Sequence, residues 1–261
     1  RTLSAQEARF LVDSYQESQR QRIRLGNQCD SMAEAQEPIS VINWWERQAE
    51  TMEIRIRQVL DSYSLSHPLG AWCRSITGIG PVIAAGLLAI GRDDERKSAG
   101  QLWRFAGLDP TSKWEKGKKR PWNSTLKTLC WNLGESFVKT KNKEDSVYGP
   151  VYDKRRAYED AKNLAHEYAP IAQQRLEDDS KRRKTMEAGL RKLLESGVLP
   201  DKAIYERSKR YAVKLFLSHF FEINYILAHG TRPANPYVIT HMGHVHYKEP
   251  PGLSQVLASV K

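Results

Sequence analysis

The sequence predicts an all-α protein. Apolar residues recur at helical spacing through most of the chain, and the only strand-like alternation is a short stretch from Tyr237 to Ile239. With 261 residues, 40% of them hydrophobic, there is enough material for a sizeable buried core.

The first element runs from Ser4 to about Met32, with no proline and one glycine. Its apolar face (Ala8, Leu11, Val12, Tyr15) gives way to Arg20, Arg22 and Arg24. A second helix is marked by Ile42, Trp45, Ala49, Met52, Ile56, Val59 and Tyr63, which alternate steps of three and four. Pro38 and Ser40 stand at its start and His67-Pro68 at its end. The two are expected to form an antiparallel hairpin over residues 1–68, with a seam that could also pair two chains. A helical domain is predicted for residues 69–229. It opens with a glycine-rich region, Leu69 to Pro110, followed by a helix from about Asn123 to Lys139. Asn123 or Ser124 is its N-cap, and Leu126, Leu129, Cys130, Leu133 and Phe137 form its buried face. A charged stretch, Lys141 to about Glu206, keeps the helical period and contains the run Lys181-Arg182-Arg183-Lys184. From Arg207 to His229 the sequence is apolar on most sides, which predicts a helix at the centre of the core. Residues 230–261, punctuated by prolines, are expected to be an extended tail or strap.

Forty-one Lys and Arg against 31 Asp and Glu give a formal net charge of +10. A chain this basic is suited to a polyanion, and nucleic acid is the first candidate. No stretch approaches the length of a membrane span, and residues Arg1 to Glu7 contain no apolar signal-peptide core. Cys29, Cys73 and Cys130 are odd in number and far apart, with no CxxC pair, which argues against a disulfide framework and a zinc knuckle. Three buried free thiols and a cytoplasmic location are expected. No cofactor is expected.

Two segments carry recognisable chemistry. In Ile76-Thr77-Gly78-Ile79-Gly80-Pro81-Val82 one helix ends and another begins with proline in its first turn. This resembles a helix-hairpin-helix element, in which Gly78 and Gly80 would let the backbone approach a phosphate. The alternative is a tight turn whose glycines only permit close packing. The second segment, Lys113-Trp114-Glu115-Lys116-Gly117-Lys118-Lys119-Arg120-Pro121-Trp122, sets five cations and two tryptophans before a helix start. Cations for phosphates and aromatic planes for bases are what nucleic-acid binding uses. The alternative is a solvated loop with its tryptophans tucked into the core.

No catalytic constellation is visible. Asp93, Asp94 and Glu95, and also Glu177, Asp178 and Asp179, read as charged surface. His241, His244 and His246 lack a fourth ligand at a useful spacing, so no metal site is predicted.

The order of segments adds a resemblance. Arg20, Arg22, Arg24 and Asn27 precede the Gly78-Ile79-Gly80 turn. Phe105-Ala106-Gly107-Leu108-Asp109-Pro110, the basic loop and Asn123-Ser124-Thr125-Leu126-Lys127 follow. Then come Tyr148-Gly149-Pro150-Val151-Tyr152 with Arg155-Arg156, and finally Arg207-Ser208-Lys209-Arg210. From Arg20 to His229 this series resembles the C-terminal domain of bridge-RNA-guided insertion-sequence transposases, which is similar to the Nop domain of box C/D particles. Those transposases carry a RuvC-like domain, and nothing before Gly78 fits that fold. They also set a catalytic serine beside a glycine. Here the one nearby serine, Ser112, is followed by Lys113, which argues against strand transfer. The sequence is more similar to the Tas family of TIGR systems in its nuclease-free, Nop-like form.

That resemblance implies a homodimeric protein that binds a guide RNA and targets double-stranded DNA, with no catalytic residue of its own and room for a separate nuclease partner. The alternatives are a transposase or recombinase domain using Ser112, or a nuclease-fused relative whose catalytic domain is missing. The residues expected to contact nucleic acid are Gly78, Gly80, Lys113, Trp114, Lys116, Lys118, Lys119, Arg120, Trp122, Asn123 and Lys127, then Arg155, Arg156, Arg207, Lys209 and Arg210.

Overall fold

A computed structural model describes residues 3–180, 186–234 and 247–260. The run Lys181 to Lys184, the alternation at Tyr237 to Ile239 and the three histidines 241, 244 and 246 lie outside the described residues. Among the described residues there are eleven α-helices and no strand, as the spacing predicts.

Ser4 and Glu7 form a reciprocal capping box that opens α1, Ala5–Glu34. The chain reverses and returns as α2, Ser40–Leu65. The base of this hairpin is built into the main core through Ala8, Val12, Ile56 and Leu60. Farther out, Leu25, Cys29 and Ala49 are buried outside that cluster.

The predicted α2 seam divides. Ala49 and Ile56 are buried, but Trp45, Met52 and Val59 are 48%, 54% and 44% exposed. The buried stripe is Ala49, Glu53, Ile56, Leu60 and Ser64. Counting only apolar positions misplaces it, because Glu53 is admitted to the interior by Arg22 of α1, whose Nε donates to its Oε1 at 2.8 Å.

Helix α3, Pro68–Arg74, leads through the glycine turn to α4, Pro81–Gly86, whose last turn widens to a π-helical segment at Leu87–Gly91. Helix α5 is Ala99–Phe105 and α6 is Ser124–Lys139, capped by Asn123 and burying the five predicted residues. Helices α7, Tyr148–Leu164, α8, Ala169–Ser180, and α9, Ala188–Glu195, make up the charged region. A satellite cluster of Tyr168, Ala172, Leu194, Leu199 and Ile204 holds α8 and α9 to the start of the long helix α10, Asp201–His229. That helix begins at Asp201, ahead of the predicted apolar run from Arg207, and its centre crosses the core. There Phe216 stacks on Trp72 and meets Phe137 and Tyr148 edge-on.

The described part of the C-terminal segment is a strap, as one of the two expectations had it, with a helical turn the sequence did not suggest. Residues 247–251 strap across the core and end in a short helix, α11, Leu253–Ser259, with Leu253 buried. The Trp72 indole N–H donates to the Pro251 carbonyl at 2.8 Å and the Tyr247 hydroxyl donates to Glu222. His219 Nε2 lies 2.9 Å from the Lys248 carbonyl, which can only accept, so Nε2 carries the proton. Nδ1 then accepts from the Tyr148 hydroxyl at 2.8 Å. Cys29, Cys73 and Cys130 are buried free thiols. Among the described residues, no helix is long and apolar enough to cross a membrane.

Candidate nucleic-acid interface

The sequence-predicted residues divide into four groups. The glycine turn stands at one end of α6. Gly78 adopts a φ of +96°, and its carbonyl accepts from Ser136 Oγ near the far end of that helix. A Cβ on Gly78 would meet Thr140 at 2.9 Å, so this glycine serves both backbone geometry and close packing. Gly80, the α4 N-cap, has open space around its Cα. The basic loop stands at the other end of α6, about 20 Å away along the helix axis. The two predicted motifs therefore do not form one site.

The loop is the second group. Lys113, Lys116, Lys118, Lys119 and Arg120 are exposed. Only Lys118 has an acidic partner among the described residues, Glu115 at 2.7 Å. Trp114, 43% exposed, folds back on its own loop: its indole N–H donates to the Lys118 carbonyl at 2.7 Å and Arg120 lies 5.4 Å from its ring. Trp122 is half-buried, seated against Gly107, with Lys127 Nζ 4.3 Å above its ring. Asn123 Oδ1 accepts from the Leu126 backbone N–H, and its own N–H donates to the Phe105 carbonyl.

The third group continues this surface. Lys127 and Arg210 are exposed and have no acidic partner among the described residues. The Lys127 ammonium is held below its ordinary pKa, first by burial, then by Arg210 and Arg120. Lys214, 4.1 Å above the Trp103 ring, is lowered first by burial; Asp109 opposes this and Arg210 adds to it. Among the described residues Asp109 is the one carboxylate set among these cations, facing Arg104 and Lys214, and it leaves the excess of like charge as a positive potential.

The fourth group is internally paired. Arg155 and Arg207 both donate to Glu159, a carboxylate only 1% exposed, which also accepts from Tyr168. Arg156 pairs with Asp160 and Asp201. Lys209 is buried and its ammonium is bonded to Glu135 and Glu206, which withdraws it from the surface.

Sequence reasoning missed Arg104, Lys214, Trp131, Tyr158 and Tyr211. Arg104 is well exposed, with Asp109 at 3.5 Å. Trp131 is 52% exposed one turn beyond Lys127. The available signal was spacing: Arg207, Arg210, Tyr211 and Lys214 are related as i, i+3, i+4 and i+7, a single face of α10.

Residues 72–127 match the family model described as Transposase IS116/IS110/IS902 family. This transposase-related segment takes in the glycine turn, α5, the basic loop and the first turn of α6. No curated protein and no solved structure matches the chain. The match includes Ser112, which is half-buried and whose backbone N–H donates to the Asp109 carbonyl at 3.2 Å. The Asp109 side chain accepts from Thr111 N–H and hydroxyl, which hold its carboxyl below the usual range. Asp93 and Asp94 pair with Arg96 and Arg92. Among the described residues no group of three or more His, Cys, Asp or Glu is placed to hold a metal ion.

Proposed function

We propose that this chain is an RNA-guided DNA-binding protein: it grips a guide RNA and presents it to double-stranded DNA without a nuclease of its own. The observation that carries this reading is the continuous cationic and aromatic surface from the basic loop through Lys127, Arg210 and Lys214. Most of its charges have no acidic partner among the described residues, so a polyanion completes their electrostatics. Cations for phosphates and ring planes for stacking suit a protein that leaves sequence recognition to pairing between strands. The transposase-related segment coincides with the larger part of this surface. An exposed apolar stripe on the hairpin, with Trp44, Trp45, Met52 and Val59, supports a homodimer joined along α2. A nuclease, if the system cuts DNA, acts as a separate partner.

The test is the salt dependence of binding. Each phosphate contact contributes about 0.9 to the log–log slope on duplex and about 0.7 on single strands. Replacing Lys116, Lys118, Lys119 and Arg120 together by Ala should reduce the slope by about 3 with unchanged circular dichroism. An unchanged slope returns the loop to solvated surface.

A second reading is favoured by the family match, which spans Ser112: a recombinase-type domain that attacks DNA through that hydroxyl. A covalent protein–DNA adduct that disappears in Ser112→Ala would establish it. Its absence with supercoiled DNA and divalent cations would exclude it.

A further inference from the structure

Where α7 meets α10 lies a second surface of different chemistry. On α7, Arg155, Tyr158, Glu159 and Lys162 are related as i, i+3, i+4 and i+7 and share one face. That face meets the α10 face bearing Arg207 and Tyr211. Where they meet, the Arg155 guanidinium lies 4.7 Å from the Tyr158 ring and 4.7 Å from the Tyr211 ring. The two ring centres are thus no more than twice that distance apart, and one guanidinium serves both. Both residues stay partly open to solvent, Tyr158 at 51% and Tyr211 at 41% exposure, and Lys162 Nζ stands as a second cation 5.4 Å from the Tyr158 ring.

This arrangement differs from an ordinary stabilising contact in two ways. A cation–aromatic pair that serves only the fold gains most when its rings are desolvated, and these are not. The guanidinium is also fixed from below: its Nε donates at 2.8 Å to Glu159 Oε1, and Glu159 is held by Arg207 Nε at 2.9 Å and by the Tyr168 hydroxyl. Arg155 therefore carries its plane and charge to the surface with little rotameric freedom left to lose. The single buried carboxylate cannot neutralise both arginines, so the cluster stays positive. Exposed rings around a fixed, charged plane are what unpaired bases stack on while their phosphates stay near a cation. A duplex, whose bases are stacked on one another, has no use for such rings.

We infer that Tyr158, Arg155 and Tyr211 form a stacking platform for unpaired nucleotides of a single strand, adjoining the phosphate-binding surface through Arg210. This rests on the nucleic-acid reading and adds to it a place where bases rather than phosphates are held. The ligand chemistry is shared by an unpaired part of a guide RNA and by a displaced DNA strand.

The test uses the full chain with labelled oligouridylate, oligodeoxythymidylate and a short duplex, measured by fluorescence anisotropy. Tyr158→Leu/Tyr211→Leu should weaken single-strand binding about five- to a hundred-fold, leave the salt slope unchanged and spare the duplex. Tyr158→Phe/Tyr211→Phe keeps both rings and should bind as the wild type does. The single Leu variants, each removing one exposed ring, provide the measurement if the pair disturbs folding. Loss confined to oligouridylate assigns the platform to the guide; loss on both assigns it to any single strand. Wild-type binding by the Leu variants, or equal loss on the duplex, overturns the platform while the loop variant's flattened slope still upholds nucleic-acid binding. No salt-dependent binding by the wild type to any probe overturns both.

Discussion

At the scale of single residues, chemical type alone misleads about role. Asn123 stands at the edge of the basic loop and has the chemistry to bind a phosphate, yet its amide oxygen is engaged by Leu126 N–H at 2.8 Å. Asn123→Ala should therefore cost about 1 kcal/mol of stability, read by chemical denaturation, and leave the salt slope of nucleic-acid binding at the wild-type value. Lys209 repeats the lesson with a charge. It lies in a run of three basic residues within four positions, but burial and two carboxylates turn it into an internal strut beneath Trp131. Its neighbour Arg210, one residue on, is exposed and has no acidic partner among the described residues.

At the scale of elements, the C-terminal strap shows how a segment with little helical signal is fixed. Residues 247–251 are anchored by side chains of α3 and α10, and the His219 link has a pH consequence. Burial lowers the His219 pKa from 6.5 to about 4, with Tyr148 and Lys248 facing the ring. The unfolded chain binds a proton below pH 6.5 and the folded chain does not. Stability is thus full above that value and is lost as pH falls toward 4, by about 3 kcal/mol. Denaturation midpoints across this window should fall for the wild type and stay flatter for His219→Gln. Helix α6 was legible to within one residue at its start, because Asn123 and Ser124 are both cap residues and its apolar face leaves no other register. The α2 seam was legible only in part, because Glu53 is stabilised inside by Arg22, a residue some thirty positions earlier that no local pattern connects to it. The glycine turn and the basic loop were each legible as motifs. Their separation was not, since it depends on which end of α6 each one packs against.

At the scale of the whole molecule, one main core holds the hairpin base, the transposase-related segment and α10 together, and an apolar stripe and a cationic face stay exposed. The first is the apolar stripe of α2. Light scattering on nucleic-acid-free protein should give a dimer, and Trp45→Glu with Met52→Glu should give a monomer of unchanged helicity; a wild-type monomer at micromolar concentration would reserve the stripe for another use. The second is the cationic face, whose extent was hidden from the sequence because Arg104, Lys127, Arg210 and Lys214 converge only when α5, α6 and α10 pack. The proposed guide strand on this face is tested most directly by sequencing the RNA that remains bound after expression, nuclease treatment and phenol extraction. A discrete short RNA, whose addition to stripped protein directs binding to complementary duplex DNA, is the predicted result. Bulk heterogeneous RNA or none, with DNA binding indifferent to any added guide, would contradict it.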